Sequence, residues 1–123
     1  MSNEHDIQSR IRIDFSREIP QGLLFRTNVG QSWTGSRTRK NPDGSLTIFD
    51  PRPFSTGLPN GFSDLFGVLP GGRAVFIEVK SAKGKPSEAQ TRFLDVVVGA
   101  GALAGVARSF EDVVRIIKGQ KES

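Results

Sequence analysis

The sequence predicts a small α/β domain, a mixed sheet with helices packed against it. Three observations carry that expectation. Residues 74–80 (AVFIEVK) alternate and are rich in β-branched side chains, as a strand requires. Capping signals and four-residue apolar spacings mark helices before and after that strand. The length of 123 residues, 36% of them hydrophobic, suits one domain, 1–123, with one modest core.

The elements follow in order. Ile7 and Ile11 stand one turn apart, with Ile13 nearby, so residues 3–13 read as a helix, and Glu4 and Gln8 share a face of it. Pro20 ends the helical region, and 22–27 (GLLFRT) reads as the first strand. Residues 28–60 are the least regular stretch, with four prolines and an Asn41-Pro42-Asp43-Gly44 turn. Leu46 opens a short strand out of that turn, so a hairpin or extended loop over about 31–60 is expected, and a loop this long is usually functional. A strand over 61–68, a Pro70-Gly71-Gly72 turn and the strand 74–80 form a hairpin that brings Asp64 beside the second strand. Ser87 caps a helix whose third residue, Gln90, completes a capping box. Phe93, Leu94, Val97 and Val98 form its expected buried stripe. Residues 105–108 make a last strand, and Ser109 caps a final helix over 110–117, with Val113, Val114 and Ile117 inward. The tail 121–123 is expected to fray.

Composition narrows the function. The absence of cysteine excludes disulfides and thiolate metal sites, and a single histidine, His5, argues against histidine-rich zinc chemistry. No stretch approaches the ~20 apolar residues of a membrane span, and no apolar segment follows a basic start as in a signal peptide, so a soluble cytoplasmic protein is expected. The formal charge of +4 is compatible with a polyanionic partner and equally with a merely solvated surface. Arg26, Arg37, Arg39, Lys40 and Arg52 fall in the first half, while Lys83 and Lys85 follow the central strand.

The residues with a chemical signature are Asp64, Glu78 and Lys80. Residues two apart on a strand point the same way, so Glu78 and Lys80 share a face while Val75, Ile77 and Val79 face the core. Buried charges need pairing or a metal. Magnesium takes one or two carboxylates and retains waters. Asp64 and Glu78 supply the carboxylates, and the Val79 carbonyl adds a third oxygen. Lys80 is then placed to orient a water or to stabilise charge on a phosphate. Glu4 and Gln90 are the natural additions. Glu78 and Lys80 are also compatible with an ordinary edge-strand ion pair. Trp33 suits either stacking on a base or packing as a lid.

Taken in order, several motifs resemble one family. Glu4-xx-Ile7-xxx-Ile11 opens the chain, and Arg26-Thr27-Asn28-Val29-Gly30 ends the first strand. Gly61-Phe62-Ser63-Asp64 precedes Glu78-Val79-Lys80, and Ser87-Glu88-Ala89-Gln90 opens the next helix. The series is similar to a stand-alone VRR-NUC domain of the PD-(D/E)xK nuclease superfamily, the short type found in phages and bacteria. The resemblance implies a restriction-endonuclease-like sandwich and phosphodiester hydrolysis dependent on Mg²⁺ or Mn²⁺. It implies Asp64 and Glu78 as metal ligands, Lys80 as the catalytic lysine, and Glu4 and Gln90 in support, with no organic cofactor. Similar isolated domains are homodimers that cut branched DNA, as Holliday-junction resolvases do. DNA contacts are then expected from Arg26, Asn28, Trp33, Arg37, Arg39, Lys40, Lys83 and Lys85. The segment 31–60 is longer than the family needs and reads as a DNA-contacting arm or a dimer contact. Two rivals stay open: a non-catalytic nucleic-acid-binding or assembly module, and a general duplex DNase of the same superfamily.

Overall fold

A computed structural model describes residues 3–29 and 31–119; Gly30 of the first-strand motif and the tail 121–123 lie outside the described residues. The elements run α1 (Glu4–Glu18), β1 (Leu23–Arg26), β2 (Gln31–Thr34), β3 (Arg37–Lys40), β4 (Leu46–Phe49), β5 (Arg52–Ser55), β6 (Leu65–Val68), β7 (Ala74–Val79), α2 (Glu88–Gly99), β8 (Leu103–Ala107) and α3 (Phe110–Ile117). They form two compact units, one from the segments up to Thr27 and from Asn60 onward, the other spanning Asn28–Pro59.

The larger unit is the α/β sandwich, a central mixed sheet flanked by helices. Its four strands lie in the order β1-β6-β7-β8. The first three are antiparallel neighbours, and β8 joins β7 in parallel because α2 carries the chain back along the sheet. Val75, Ile77 and Val79 are fully buried on one face. There they meet Ile11 and Phe15 of α1, Val113 and Ile116 of α3, and Leu65, Leu103 and Ala107 from neighbouring strands. Phe76 and Glu78 point to the opposite face, where α2 lies, so β7 is covered on both sides. This is why its sequence is apolar in nearly every position.

Two strand bounds shift, β6 beginning at Leu65 rather than at 61 and β8 spanning Leu103–Ala107 rather than 105–108, and the other local signals behave as expected with four differences. Asn3 caps α1 by accepting the Asp6 N–H at 2.8 Å, but the helix continues to Glu18 rather than ending near 13. Phe15 prolongs the stripe of Ile7 and Ile11 by one more turn, and Ile19 packs at its cap. In α2 Leu94 is buried and Phe93 and Val97 are half-buried, whereas Val98 is 52% exposed and leaves the expected stripe. In α3 Val113 and Ile116 are the buried pair, with Val114 and Ile117 half-buried beside them. Among the described residues no helix is long and apolar enough to cross a membrane.

The fourth difference is the segment expected to be irregular. It is a two-stranded antiparallel ribbon: β2 pairs with β5 and β3 with β4, in one shared register. The interruption between the two halves has a local cause. Asp50 adopts a positive φ of 52° and accepts the Ser36 hydroxyl at 2.9 Å. A side chain on Gly35 would come within 2.2 Å of the Phe49 carbonyl oxygen, so only glycine fits there. The turn at the tip closes through Asn41 and Ser45, with Asp43 accepting both the Ser45 N–H and its hydroxyl. Those two hydrogen bonds hold the Asp43 carboxyl below its ordinary range.

Candidate active site

Strand register brings the two key carboxylates together. Leu65 pairs with Ile77 at the end of β6, and one step further Asp64 stands opposite Glu78 on the same face. The Thr27 N–H donates to the Asp64 carbonyl at 2.9 Å, and the Thr27 hydroxyl reaches the Ser63 carbonyl, pinning this segment to the end of β1. Ser63 is itself fully buried and donates its hydroxyl to the Leu65 carbonyl at 2.9 Å. At Gly61 the backbone passes close under the start of α2. A Cβ there would lie 2.5 Å from the Ala89 carbonyl oxygen, at a φ of +89°. Only glycine permits that approach.

Asp64 uses one carboxylate oxygen, Oδ2, to accept the Val79 N–H at 2.9 Å. This bond has a topological origin. Val79 is the register partner of Ala107, and the neighbouring Lys80 N–H donates to the Ala107 carbonyl. In such a parallel ladder Val79 directs its own N–H and C=O away from β8, toward Asp64. The Val79 carbonyl therefore faces the carboxylate side.

Glu78 is 1% exposed. Gln90 donates from Nε2 to its Oε1 at 3.2 Å, and the capping box sets the orientation of that amide. Gln90 Oε1 accepts the Ser87 N–H at 2.8 Å, which leaves Nε2 for Glu78. The other oxygen, Glu78 Oε2, is buried with no donor among the described residues. Glu78 and Asp64 are close enough to share a proton. Burial, then the hydrogen bond and charge of Asp64, push the Glu78 carboxyl up to about 9; Lys80 opposes the shift and Glu4 adds a little to it. Two carboxylates in contact, one with an orphaned oxygen, demand either a shared proton or a cation between them.

Phenylalanines form the wall beside this pair. Phe66 stacks on Phe76 at 4.8 Å between centroids, and Phe62 and Phe93, 4.6 Å from each other, close against Phe76 at 5.8 and 5.6 Å. Phe76 precedes Glu78 by two residues on the same face, so the aromatic wall and the desolvated carboxyl are neighbours.

Lys80 is half-buried at the end of β7. The turn 81–84 that follows brings Gly84 between Lys80 and Glu4. A Cβ on Gly84 would be 3.4 Å from Glu4 Oε2 and 3.5 Å from Lys80 Cδ. Arg108 clamps this turn, donating from Nη1 to the Ser81 and Gly84 carbonyls. The buried Asp112 accepts the Arg108 N–H at 2.9 Å and the Arg115 guanidinium. Arg108, Ser63 and the phenylalanine wall had no signature of their own in the sequence. The shared parity of Phe62, Phe66 and Phe76 with the carboxylates was the one available hint.

The structure thus brings together Asp64, Glu78, Val79, Lys80 and Gln90, with Glu4 and Lys80 both against Gly84. Among the described residues no three acidic or histidine side chains converge as a metal cage. The pair plus a backbone carbonyl fits an ion that takes few carboxylates and keeps its waters. Arg26, Lys83 and Lys85 are exposed in the larger unit, and Asn28, Trp33, Arg37, Arg39 and Lys40 are exposed in the ribbon. Arg37 and Arg39 both lie over the Phe49 ring, at 4.2 and 5.6 Å from its centroid.

The VRR-NUC domain family matches residues 52–111, a segment holding Asp64, Glu78, Lys80, Gln90 and Arg108, with Glu4 outside it. A solved structure described as a VRR_NUC domain is 24% identical, with 96% of this chain and 97% of that chain covered at a TM-score of 0.58. No curated protein matches the chain. The fold and the family match agree: residues 52–111 match the VRR-NUC domain family, and the chain as a whole shares the fold of a solved VRR_NUC domain.

Proposed function

We propose that the protein is a metal-dependent DNA endonuclease, acting on branched DNA such as four-way junctions as a homodimer inside the cell. The observation that carries this reading is the desolvated Asp64–Glu78 pair, with Lys80 two residues on from Glu78 along the same strand face. The ribbon is an insertion in this single domain, and its exposed cations are suited to DNA contact.

Asp64, Glu78 and the Val79 carbonyl would hold Mg²⁺ or Mn²⁺. When bound, the ion polarises the phosphodiester and makes a water more acidic. The Val79 N–H orients Asp64, and Gln90 orients Glu78. Glu78 must give up its proton to become a ligand. Lys80 supplies positive charge where the phosphate becomes more negative, and Glu4, also against Gly84, adds a carboxylate on that side. A two-fold dimer would set two such sites for paired nicks.

A four-way junction, a flap and a blunt duplex, each incubated with Mg²⁺ or Mn²⁺, test the proposal. The expected result is cutting of the junction that disappears in Asp64→Ala and Glu78→Ala while DNA binding stays within about tenfold. Equal cutting of blunt duplex would replace the junction reading with a general DNase. Binding without cutting of any substrate would leave a nucleic-acid-binding module.

A further inference from the structure

The ribbon contains a cavity of about 580 Å³, within the size range of small-ligand sites. Trp33 and Phe54 supply its aromatic lining, and Asn28, Ser32, Thr34 and Thr56 supply polar groups. Both rings are open to solvent, Trp33 at 61% and Phe54 at 51% exposure. A single exposed ring needs no explanation. Two that line one cavity form a binding surface, with Phe54 on the ribbon face of Ser32 and Thr34, and Trp33 on the face of its partner Pro53. Thr56 Oγ1 adds a buried hydroxyl with no partner among the described residues.

Charge indicates the kind of ligand. Arg52 pairs with Thr34 and Phe54 with Ser32 across the ribbon, so Arg52 and Phe54 share a face about 7 Å apart along β5. The ribbon has only two acidic residues, and both are engaged locally, Asp43 with Ser45 and Asp50 with Ser36. Arg37, Arg39, Lys40 and Arg52 are all exposed. The Phe54 face therefore offers a ring for stacking, hydroxyl groups of Ser32 and Thr34 for a polar edge, and a guanidinium one side-chain step away. These are the complements of a nucleobase and its phosphate.

We infer that this cavity takes an unpaired nucleotide of the DNA substrate, with the base on Phe54 and the backbone phosphate on Arg52, which share one ribbon face. The inference rests on the DNA reading above and deepens it: the ribbon selects DNA that exposes unstacked bases. A blunt duplex keeps its ring faces inside the stack, whereas a single-stranded tail or an open branch point presents them.

Trp33 is the sole tryptophan, so its fluorescence reports on this cavity alone. The full chain is titrated in EDTA, without cleavage, with oligo(dT), a tailed duplex and a blunt duplex at equal phosphate concentration. Oligo(dT) and the tailed duplex are expected to quench Trp33, and the blunt duplex to leave it nearly unchanged. Binding of labelled oligo(dT), followed by anisotropy, is expected to weaken about tenfold in Phe54→Ala and in Arg52→Ala, and to be kept in Phe54→Tyr, which retains a ring. Equal quenching by blunt duplex, or unchanged binding by Phe54→Ala, overturns the inference. So does a Phe54→Ala protein whose sedimentation mass halves while oligo(dT) binding persists, since the rings would then be a contact between copies. Cleavage has no part in these measurements, so a catalytically silent protein still gives an answer here.

Discussion

Replacing Glu78 by glutamine should make the metal-free protein more stable, although it removes a residue at the centre of the site. Glu78 is 1% exposed, and its carboxyl is pushed from the ordinary 4.5 up to about 9. In the unfolded chain the group is ionised above pH 4.5, whereas in the folded metal-free protein it stays protonated until about pH 9. Its contribution is therefore fully present below pH 4.5 and is lost progressively as pH rises toward 9. At pH 7.5, three pH units above the unfolded value, folding must take up a proton at a cost of about 4 kcal/mol. Glutamine needs no proton. Its amide can donate to Asp64 while its oxygen accepts from Gln90, so the substitution should recover about 2–4 kcal/mol. Urea unfolding in EDTA from pH 5 to 8 measures this. The wild type should lose stability steadily over that window and Glu78→Gln should not; Mn²⁺ should stabilise the wild type alone, increasingly so as pH rises, because its binding releases the Glu78 proton. A flat wild-type profile, or a Glu78→Gln protein less stable than wild type at pH 7.5, would refute the desolvated carboxyl pair.

Two further substitutions probe what supports the pair. Gln90→Ala removes half of a capping box and the one amide that donates to Glu78. It should cost about 2 kcal/mol in urea unfolding and lower the cleavage rate with little change in DNA binding. Gly61→Ala forces a side chain into a φ of +89° against the Ala89 carbonyl. A loss of at least about 2 kcal/mol, read as a lower Tm, is expected, and an unchanged Tm would mean that α2 does not press on the Asp64 segment as described.

Much of the sandwich was legible because its signals are short-range. The caps at Ser87 and Ser109, the turn at Pro70, and the alternation along β7 each involve residues within about four positions of one another. The ribbon was not legible in the same way. Its strands are four residues each and mostly exposed, so no buried face imposes an apolar alternation. The register is held instead by Gly35, Asp50 and the Asn41–Ser45 turn, which read as loop composition. Val98 misled for a related reason. Valine at that spacing extends an apolar stripe on paper, but α2 contacts the sheet over a narrower arc than the stripe suggests.

For the candidate site, the sequence alone singled out the candidate residues and determined that Glu78 and Lys80 share a strand face, because strand parity is a property of the backbone. The tertiary structure decided that Asp64 meets Glu78, that Val79 turns its peptide groups toward them, and that Gln90 aims its amide at the pair. It also decided how strongly Glu78 holds its proton. That quantity depends on the phenylalanines beside it and on a carboxylate fourteen residues away in sequence, hence on solvent exclusion and register between segments that no local pattern encodes.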